Sequence, residues 1–171
     1  MGPPPEPRWL STDEQRTWLS LVGVLTLLGP ALDTQLQRDA GISHFEYQVL
    51  AMLSMSPGRT ARMSRLAALA NGSLSRLSHV VSRLERRGWV ERSPDPEDGR
   101  YTLASLTEPG WEKVVETAPG HVAEVRRLVF DPLTKAQQRL LREAGHRILH
   151  AIDPDDTCLG GPGRPDLPPP D

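Results

Sequence analysis

Apolar residues recur at helical spacing along most of the chain, which predicts a mainly helical protein. The first helix starts at Ser11, because a serine followed three residues later by Glu14 forms a capping box, and its pattern runs to Gly41. Equivalent boxes at Ser43 and Thr134 open two further helices. The apolar residues of the first helix include Trp18, Leu21, Val22, Leu25 and Leu28.

The middle of the chain predicts a helix-turn-helix followed by a hairpin. A short helix covers about residues 64–70, an Asn-Gly pair breaks it, and Ser73 begins a helix that ends before Gly88. Two strand-like segments follow, Trp89–Ser93 and Tyr101–Leu106, and a long helix starts after Thr107. The predicted fold is therefore mainly α with a small β-hairpin wing.

Proline and glycine mark the places where helices should bend or be absent. Gly29-Pro30 predicts a kink in the first helix, and Pro119-Gly120 predicts a disturbance in the helix after the hairpin. Residues 1–10 and 153–171 are rich in proline, and we expect both to be disordered arms around a folded domain at 11–152.

Composition excludes several classes of protein. An uninterrupted apolar run of 18 residues is absent, as is a secretory signal pattern, so neither a membrane span nor export is expected. Cys158 is the single cysteine, which excludes a disulfide within the chain and favours the cytoplasm. The net charge of −2 hides a basic centre, since residues 59–100 carry nine arginines and five acids. A local basic surface of this kind suits phosphate binding.

The helix after Ser73 separates into an apolar face and a polar face. Leu74, Leu77, Val80, Val81 and Leu84 share one side and should face the core. The opposite side has no acid, apart from Glu85 near its boundary, and suits a DNA major groove, where arginine can bond guanine and serine can bond bases or phosphates. The candidate DNA-binding residues on this helix are Ser73, Ser75, Arg76, Ser78, His79, Ser82, Arg83 and Arg86, with Arg76 and Arg83 along one edge.

The hairpin tip, PDPEDGR, combines several acids with one arginine. The helix after Ser73 would be the recognition helix, which reads the major groove, and the hairpin beside it would be the wing. Such a wing can reach the adjacent minor groove, whose negative potential attracts arginine, so we expect Arg100 to enter that groove. Asp95 and Asp98 should bond loop amides and orient the guanidinium of Arg100. A cation site of the EF-hand type is a poor alternative, because the loop lacks the required ligand spacing.

These segments resemble the MarR family of winged helix-turn-helix transcription regulators over roughly residues 11–152. The resemblance rests on "SHFEYQVLAML", "RMSRLAALA", "SLSRLSHVVSRLERRGWVERSPDPEDGRYTLASLTEPG" and "APGHVAEVRRLVFDPLT". It implies a DNA-binding lobe at about 43–107, dimerisation helices at about 13–39 and 112–152, and a homodimer on a pseudo-palindromic operator. It also implies wing roles for Asp98 and Arg100.

The resemblance implies a repressor that a small amphipathic or phenolic ligand releases, with Trp18 and His44 as candidate ligand contacts. We expect no enzyme activity, cofactor or metal. Two alternatives to a regulator remain: a helical interaction module with a basic lobe, and a hydrolase that holds a metal through His146 and His150, four residues apart on the last helix. Cys158 is a further candidate as an oxidant sensor.

Overall fold

The computed structural model describes residues 7–69 and 73–154. Its described part contains six α-helices and a small antiparallel sheet, which confirms the predicted fold class. The helices are α1 (Thr12–Ala40), α2 (His44–Met55), α3 (Met63–Leu69), α4 (Leu74–Arg86), α5 (Glu108–Val125) and α6 (Lys135–Ile152). The strands are β1 (Thr60–Arg62), β2 (Val90–Pro94) and β3 (Thr102–Leu106).

The helix boundaries follow the local signals in the sequence. All three predicted capping boxes are present, at the starts of α1, α2 and α6. In the first, the Ser11 amide donates to Glu14 Oε2 at 2.7 Å, and the Glu14 amide donates back to Ser11 Oγ. Gly41 and Gly88 follow α1 and α4 with φ of +64° and +74°, a conformation that favours glycine.

The sheet has one strand more than the predicted hairpin. Its order is β1-β3-β2, and β1 pairs with β3 from Thr60 opposite Ser105 to Arg62 opposite Leu103. The predicted hairpin is confirmed as β2 and β3, which pair antiparallel. β1 was missed because it has only three residues, which is too short for an alternating pattern to be visible. This strand connects the helix-turn-helix to the base of the wing.

Neither predicted site interrupts its helix, and the kink at Gly29-Pro30 stays a prediction, because a helix can bend without a break. α1 continues through Gly29-Pro30, and α5 continues through Pro119-Gly120. A proline removes one backbone donor, and in both helices the remaining hydrogen bonds maintain the helix on either side of it. The irregular segment is instead a π-helix at Arg126–Phe130, directly after α5.

The core lies in the helix-turn-helix lobe, with α1 and α5 packed against it. Four apolar residues of α4 are buried as predicted, namely Leu77, Val80, Val81 and Leu84. Leu74 was wrongly assigned to the core, since 56% of its surface is exposed. It lies in the first turn of α4 and lines an open cleft beside the wing.

The terminal helices leave much of their apolar surface uncovered within one chain. Trp18 and Leu25 on α1 are exposed, and so are Leu140 and Ile152 on α6, which has no buried residue. By length and composition α1 could cross a membrane, with a mean hydropathy of 1.4 over 18 residues. The lack of an uninterrupted apolar run therefore did not exclude this possibility. A helix that packs against a second chain meets the same criteria.

Candidate nucleic-acid interface

The polar face predicted for α4 is exposed. Ser75, Arg76, His79, Arg83 and Arg86 are exposed, and Ser78 and Ser82 are partly exposed. Ser73 lies just before the helix, where its Oγ accepts a hydrogen bond from the Arg76 amide at 3.2 Å. The cap uses one of the two lone pairs of this hydroxyl, so Ser73 can still contact another group. The structure thus brings the predicted residues of this helix onto one continuous surface.

Arg76 and Arg83 lie along the edge of α4 that faces the start of α2. The Arg76 guanidinium stacks over the Phe45 ring at 4.7 Å, and Arg83 Nε lies 3.3 Å from Glu46 Oε1. Glu46 is buried, and its other carboxylate oxygen accepts hydrogen bonds from the Ser43 amide and hydroxyl. Both arginines are therefore held in position by α2 while their outer surfaces remain in solvent.

Arg92 lies at the opposite edge of α4 and was missed at the sequence level. It projects from β2, its Nη2 donates to Ser82 Oγ at 3.1 Å, and its guanidinium pairs with the Glu85 carboxylate. The backbone amide of Arg92 also donates to Glu85 Oε1. These contacts place a ninth basic or polar side chain beside the helix face. The only sequence signal was its location in a basic segment, because a strand residue carries no helical spacing.

The wing tip contains the pair formed by Asp98 and Arg100. Arg100 Nε donates to Asp98 Oδ1 at 2.9 Å, Nη2 donates to Oδ2 at 2.6 Å, and the Arg100 amide also donates to Oδ1. Hydrogen bonds from Arg100 hold the pKa of Asp98 below its ordinary value. The Arg100 side chain is nevertheless 84% exposed. The predicted contact between acid and arginine is confirmed, and it leaves the guanidinium accessible.

Asp95 has a different partner from the one predicted. It is 5% exposed, and its carboxylate accepts bonds from Arg62 Nε at 2.7 Å and from the Glu97 amide at 3.0 Å. Arg62 belongs to β1, and its guanidinium also stacks over the Tyr101 ring at 4.6 Å. The prediction that Asp95 orients Arg100 was wrong, because β1 brings a closer arginine to it. Asp95 instead ties the hairpin tip to β1.

His44, a candidate ligand contact, lies where α1, α2 and α5 meet. Its amide donates to Asp33 Oδ1 at 2.7 Å, and its ring lies 5.9 Å from the ring of His121, which in turn contacts Tyr47. Burial lowers the pKa of His44, against an opposing effect of Asp33. Burial, and secondarily the proximity of His44, lowers the pKa of His121.

This junction contains buried polar atoms without a hydrogen-bond partner. They are Gln35 Oε1, Thr117 Oγ1 and His121 Nδ1. Such atoms favour a bound water or ligand, because burying them unpaired is costly. Trp18, the other candidate, lies 15 residues before Asp33 on α1, which is about 22 Å along a helix. Within one chain the structure therefore does not bring Trp18 to His44.

The candidate metal ligands find little support in the described structure, and the candidate redox residue is not tested by it. His146 and His150 are both exposed on α6. Across residues 7–69 and 73–154, no group of three or more His, Cys, Asp or Glu side chains could hold a metal ion. Cys158 lies outside the described residues.

Comparisons with known proteins agree with this arrangement. The MarR family model matches residues 40–100. The crystal structure of Sco3205, a MarR family transcriptional regulator from Streptomyces coelicolor in complex with DNA, superposes with a TM-score of 0.82 at 48% identity, covering 88% of this chain and 94% of that one. AbsC, a MarR family regulator from the same organism, has a TM-score of 0.79 at 38% identity, covering 85% and 98%.

Curated relatives match at lower identity. The HTH-type transcriptional regulator YdcH of Bacillus subtilis is 29% identical over 120 residues, which span 69% of this chain and 74% of YdcH. The identity to Sco3205 extends over nearly all of both chains, and both share the helix-turn-helix and wing described above. This chain belongs to the MarR family of transcriptional regulators.

Proposed function

We propose that the protein is a homodimeric, sequence-specific DNA-binding regulator that acts as a repressor in the cytoplasm. The observation that carries this proposal is the surface of α4, whose exposed serines, arginines and histidine lie next to the exposed Arg100 of the wing. The recognition helix enters the major groove, and the wing places Arg100 in the adjacent minor groove. Occupancy of an operator by such a dimer blocks transcription.

The residues of the interface divide by position. Ser75, Ser78, His79, Ser82 and Arg86 face the base edges, with Arg76 at the N-terminal end of the edge that faces α2. Arg83 lies about two helical turns further along the same edge, beside Glu46, and contacts a phosphate. Ser73, at the start of the helix, contacts the sugar-phosphate backbone of the DNA. Asp98 acts indirectly, by orienting Arg100.

Dimerisation explains the uncovered apolar residues of the terminal helices. The proposed dimerisation helices, about 13–39 and 112–152, include Leu25, Leu140 and Ile152, which a second copy would bury. Their burial against protein also accounts for the hydropathy of α1 without a membrane. The two recognition helices of the dimer then bind two half-sites of the operator that are related by a twofold axis.

A small ligand would act at the junction of α1, α2 and α5. Support for this comes from the unpaired buried atoms of Gln35, Thr117 and His121 beside His44. The junction joins the DNA-binding lobe to the dimerisation helices, so a molecule that changes it would alter the separation of the two recognition helices. An amphipathic or phenolic molecule suits this mixture of aromatic and polar groups. Trp18 enters such a site only from a second copy.

Selection of bound duplexes from a random DNA pool tests the proposal. An inverted repeat should emerge, with half-sites about one helical turn apart, and affinity for it should fall steeply as salt rises. Enrichment of no sequence would contradict the proposal and favour the interaction module. The mutant proteins Arg76→Ala and His79→Ala should select altered sequences. Arg83→Ala, matched in charge to Arg76→Ala, should weaken all duplexes nearly equally.

A further inference from the structure

Leu74 is the exception among the apolar residues of α4. Leu77, Val80, Val81 and Leu84 are buried, whereas Leu74 is 56% exposed in the first turn. Two exposed serines, Ser73 and Ser75, flank it in the chain. Since most of its surface is in solvent, packing within the chain uses little of this side chain.

The surroundings of Leu74 place it inside the proposed DNA interface. It lines a cleft between α4 and the wing together with Ser78, Arg92, Arg100 and Tyr101. Successive residues of a helix are about 100° apart, so Leu74 lies about 40° from Ser78 around α4. It therefore borders the polar face on the side that faces the wing.

The chemistry of the major groove limits what an exposed leucine can recognise there. Adenine, guanine and cytosine present hydrogen-bond donors and acceptors, which leucine cannot use. Thymine alone presents an apolar group at this edge, its 5-methyl, and apolar side chains contact it. The serines and arginines around Leu74 supply the hydrogen bonds to neighbouring positions.

We infer that Leu74 is a specificity-determining residue that reads the 5-methyl group of one thymine in each half-site. The inference rests on the proposed DNA-binding function and adds a base preference to one position of the recognition helix. It predicts that the selected half-site contains a thymine whose methyl group contributes to affinity.

Deoxyuridine provides a direct test, because it pairs like thymidine and lacks only the methyl group. Each thymine of the selected duplex is replaced in turn, and the dissociation constant for the purified protein is measured by fluorescence anisotropy. At one position per half-site the replacement should weaken binding about fourfold, the value of one buried methyl-sized group. Replacement in both half-sites together should weaken it about fifteenfold.

Variants assign this effect to Leu74. In Leu74→Ala, thymine and uracil duplexes should bind equally at that position, whereas Leu74→Met should retain the preference for thymine. Met55→Ala, which truncates an exposed apolar side chain away from the interface, should also retain it. Because Leu74 is largely exposed, all three variants should keep the helical circular dichroism of the original protein.

Three results would overturn the inference: a selected half-site without thymine, no effect of uracil at any position, or an unchanged effect in Leu74→Ala. Failure of the proposed function looks different, because the original protein would then bind no thymine-containing duplex in preference to random DNA. That result would overturn both.

Discussion

The DNA-binding lobe and the terminal helices differ in how far their apolar side chains are buried within one chain. In the lobe, Leu50, Leu53 and Leu66 are completely buried, and the outer surface carries arginine and serine. On α1 and α6, Leu25 and Leu140 are 68% and 64% exposed. Both regions are helical and both have apolar residues at helical spacing, so the difference lies in what each region packs against.

This contrast indicates which parts can be stable within one chain. The lobe has a filled core contributed mainly by α2, α3, α4 and the sheet, which Leu36 of α1 and Val114 of α5 join. A helix of 29 residues such as α1 gains most of its stability from packing its apolar face, and a single chain covers little of that face. We therefore expect the lobe to depend mainly on this core and the terminal helices to depend on a second copy.

The largest expected effect comes from a charge placed on the exposed apolar face. Leu25→Asp should weaken dimerisation on the order of a thousandfold or more, because the twofold axis buries the unpaired carboxylate twice. Light scattering at micromolar concentration should report a monomer. Gln48→Asp, the same charge at an exposed polar position of α2 outside the dimerisation helices, should leave the dimer intact. If the original protein were a monomer with normal helicity, the terminal helices would not depend on a second copy, and the proposed difference between the two regions would be wrong.

A cavity in the core of the lobe should lower the free energy of unfolding whether or not the protein is dimeric. Leu50→Ala should lower the free energy of unfolding by about 2–5 kcal/mol, since the side chain is completely buried. Urea denaturation should show this loss at both low and high protein concentration. Leu140→Ala provides the matched truncation on α6, and its effect should depend on concentration because it acts on the dimer. Equal behaviour of the two variants would argue against separate stabilisation of the two regions.

Substitutions in the wing test whether its acidic residues support DNA binding. Arg100→Ala should weaken operator binding about 5- to 150-fold, more strongly where the flanking DNA is A·T-rich. Asp98→Ala should reproduce much of this loss, since it frees the guanidinium that Asp98 holds. Glu97→Ala is the matched control for Asp98→Ala, because it removes the same charge from the same loop without releasing Arg100. Anisotropy measurements in which Asp98→Ala binds more tightly would show that Asp98 only repels the phosphates.

The junction between lobe and terminal helices should respond to acid. Burial lowers the pKa values of His44 and His121 below the ordinary 6.5, so the unfolded chain binds more protons in this range. The free energy of unfolding should therefore decrease as the pH falls below 6.5 and through the lowered pKa values. Urea denaturation of His121→Gln should show a weaker dependence on pH. His79→Gln, at an exposed position of α4 outside the dimerisation helices, should behave like the original protein.

Features that depend on a few neighbouring residues were predictable from the sequence. The three capping boxes, the glycines after α1 and α4, and the pairing of Asp98 with Arg100 each join residues two to five apart. The outward face of α4 was equally accessible, because helical periodicity alone determines which side chains share a side. Leu74 marks the limit of that reasoning, since periodicity assigns a side of the helix and not how far the core extends along it.

Features that depend on distant residues were decided only by the tertiary structure. β1 is a strand because β3 lies beside it, and this pairing brings Arg62 to Asp95, 33 positions away in the chain. The histidines at the junction meet because α2 and α5 pack together, although 77 positions separate His44 from His121. By itself the sequence determined the helices, their caps and the chemistry of the recognition face. Packing determined which side chains meet, because such contacts depend on elements that are far apart in the chain and close together in space.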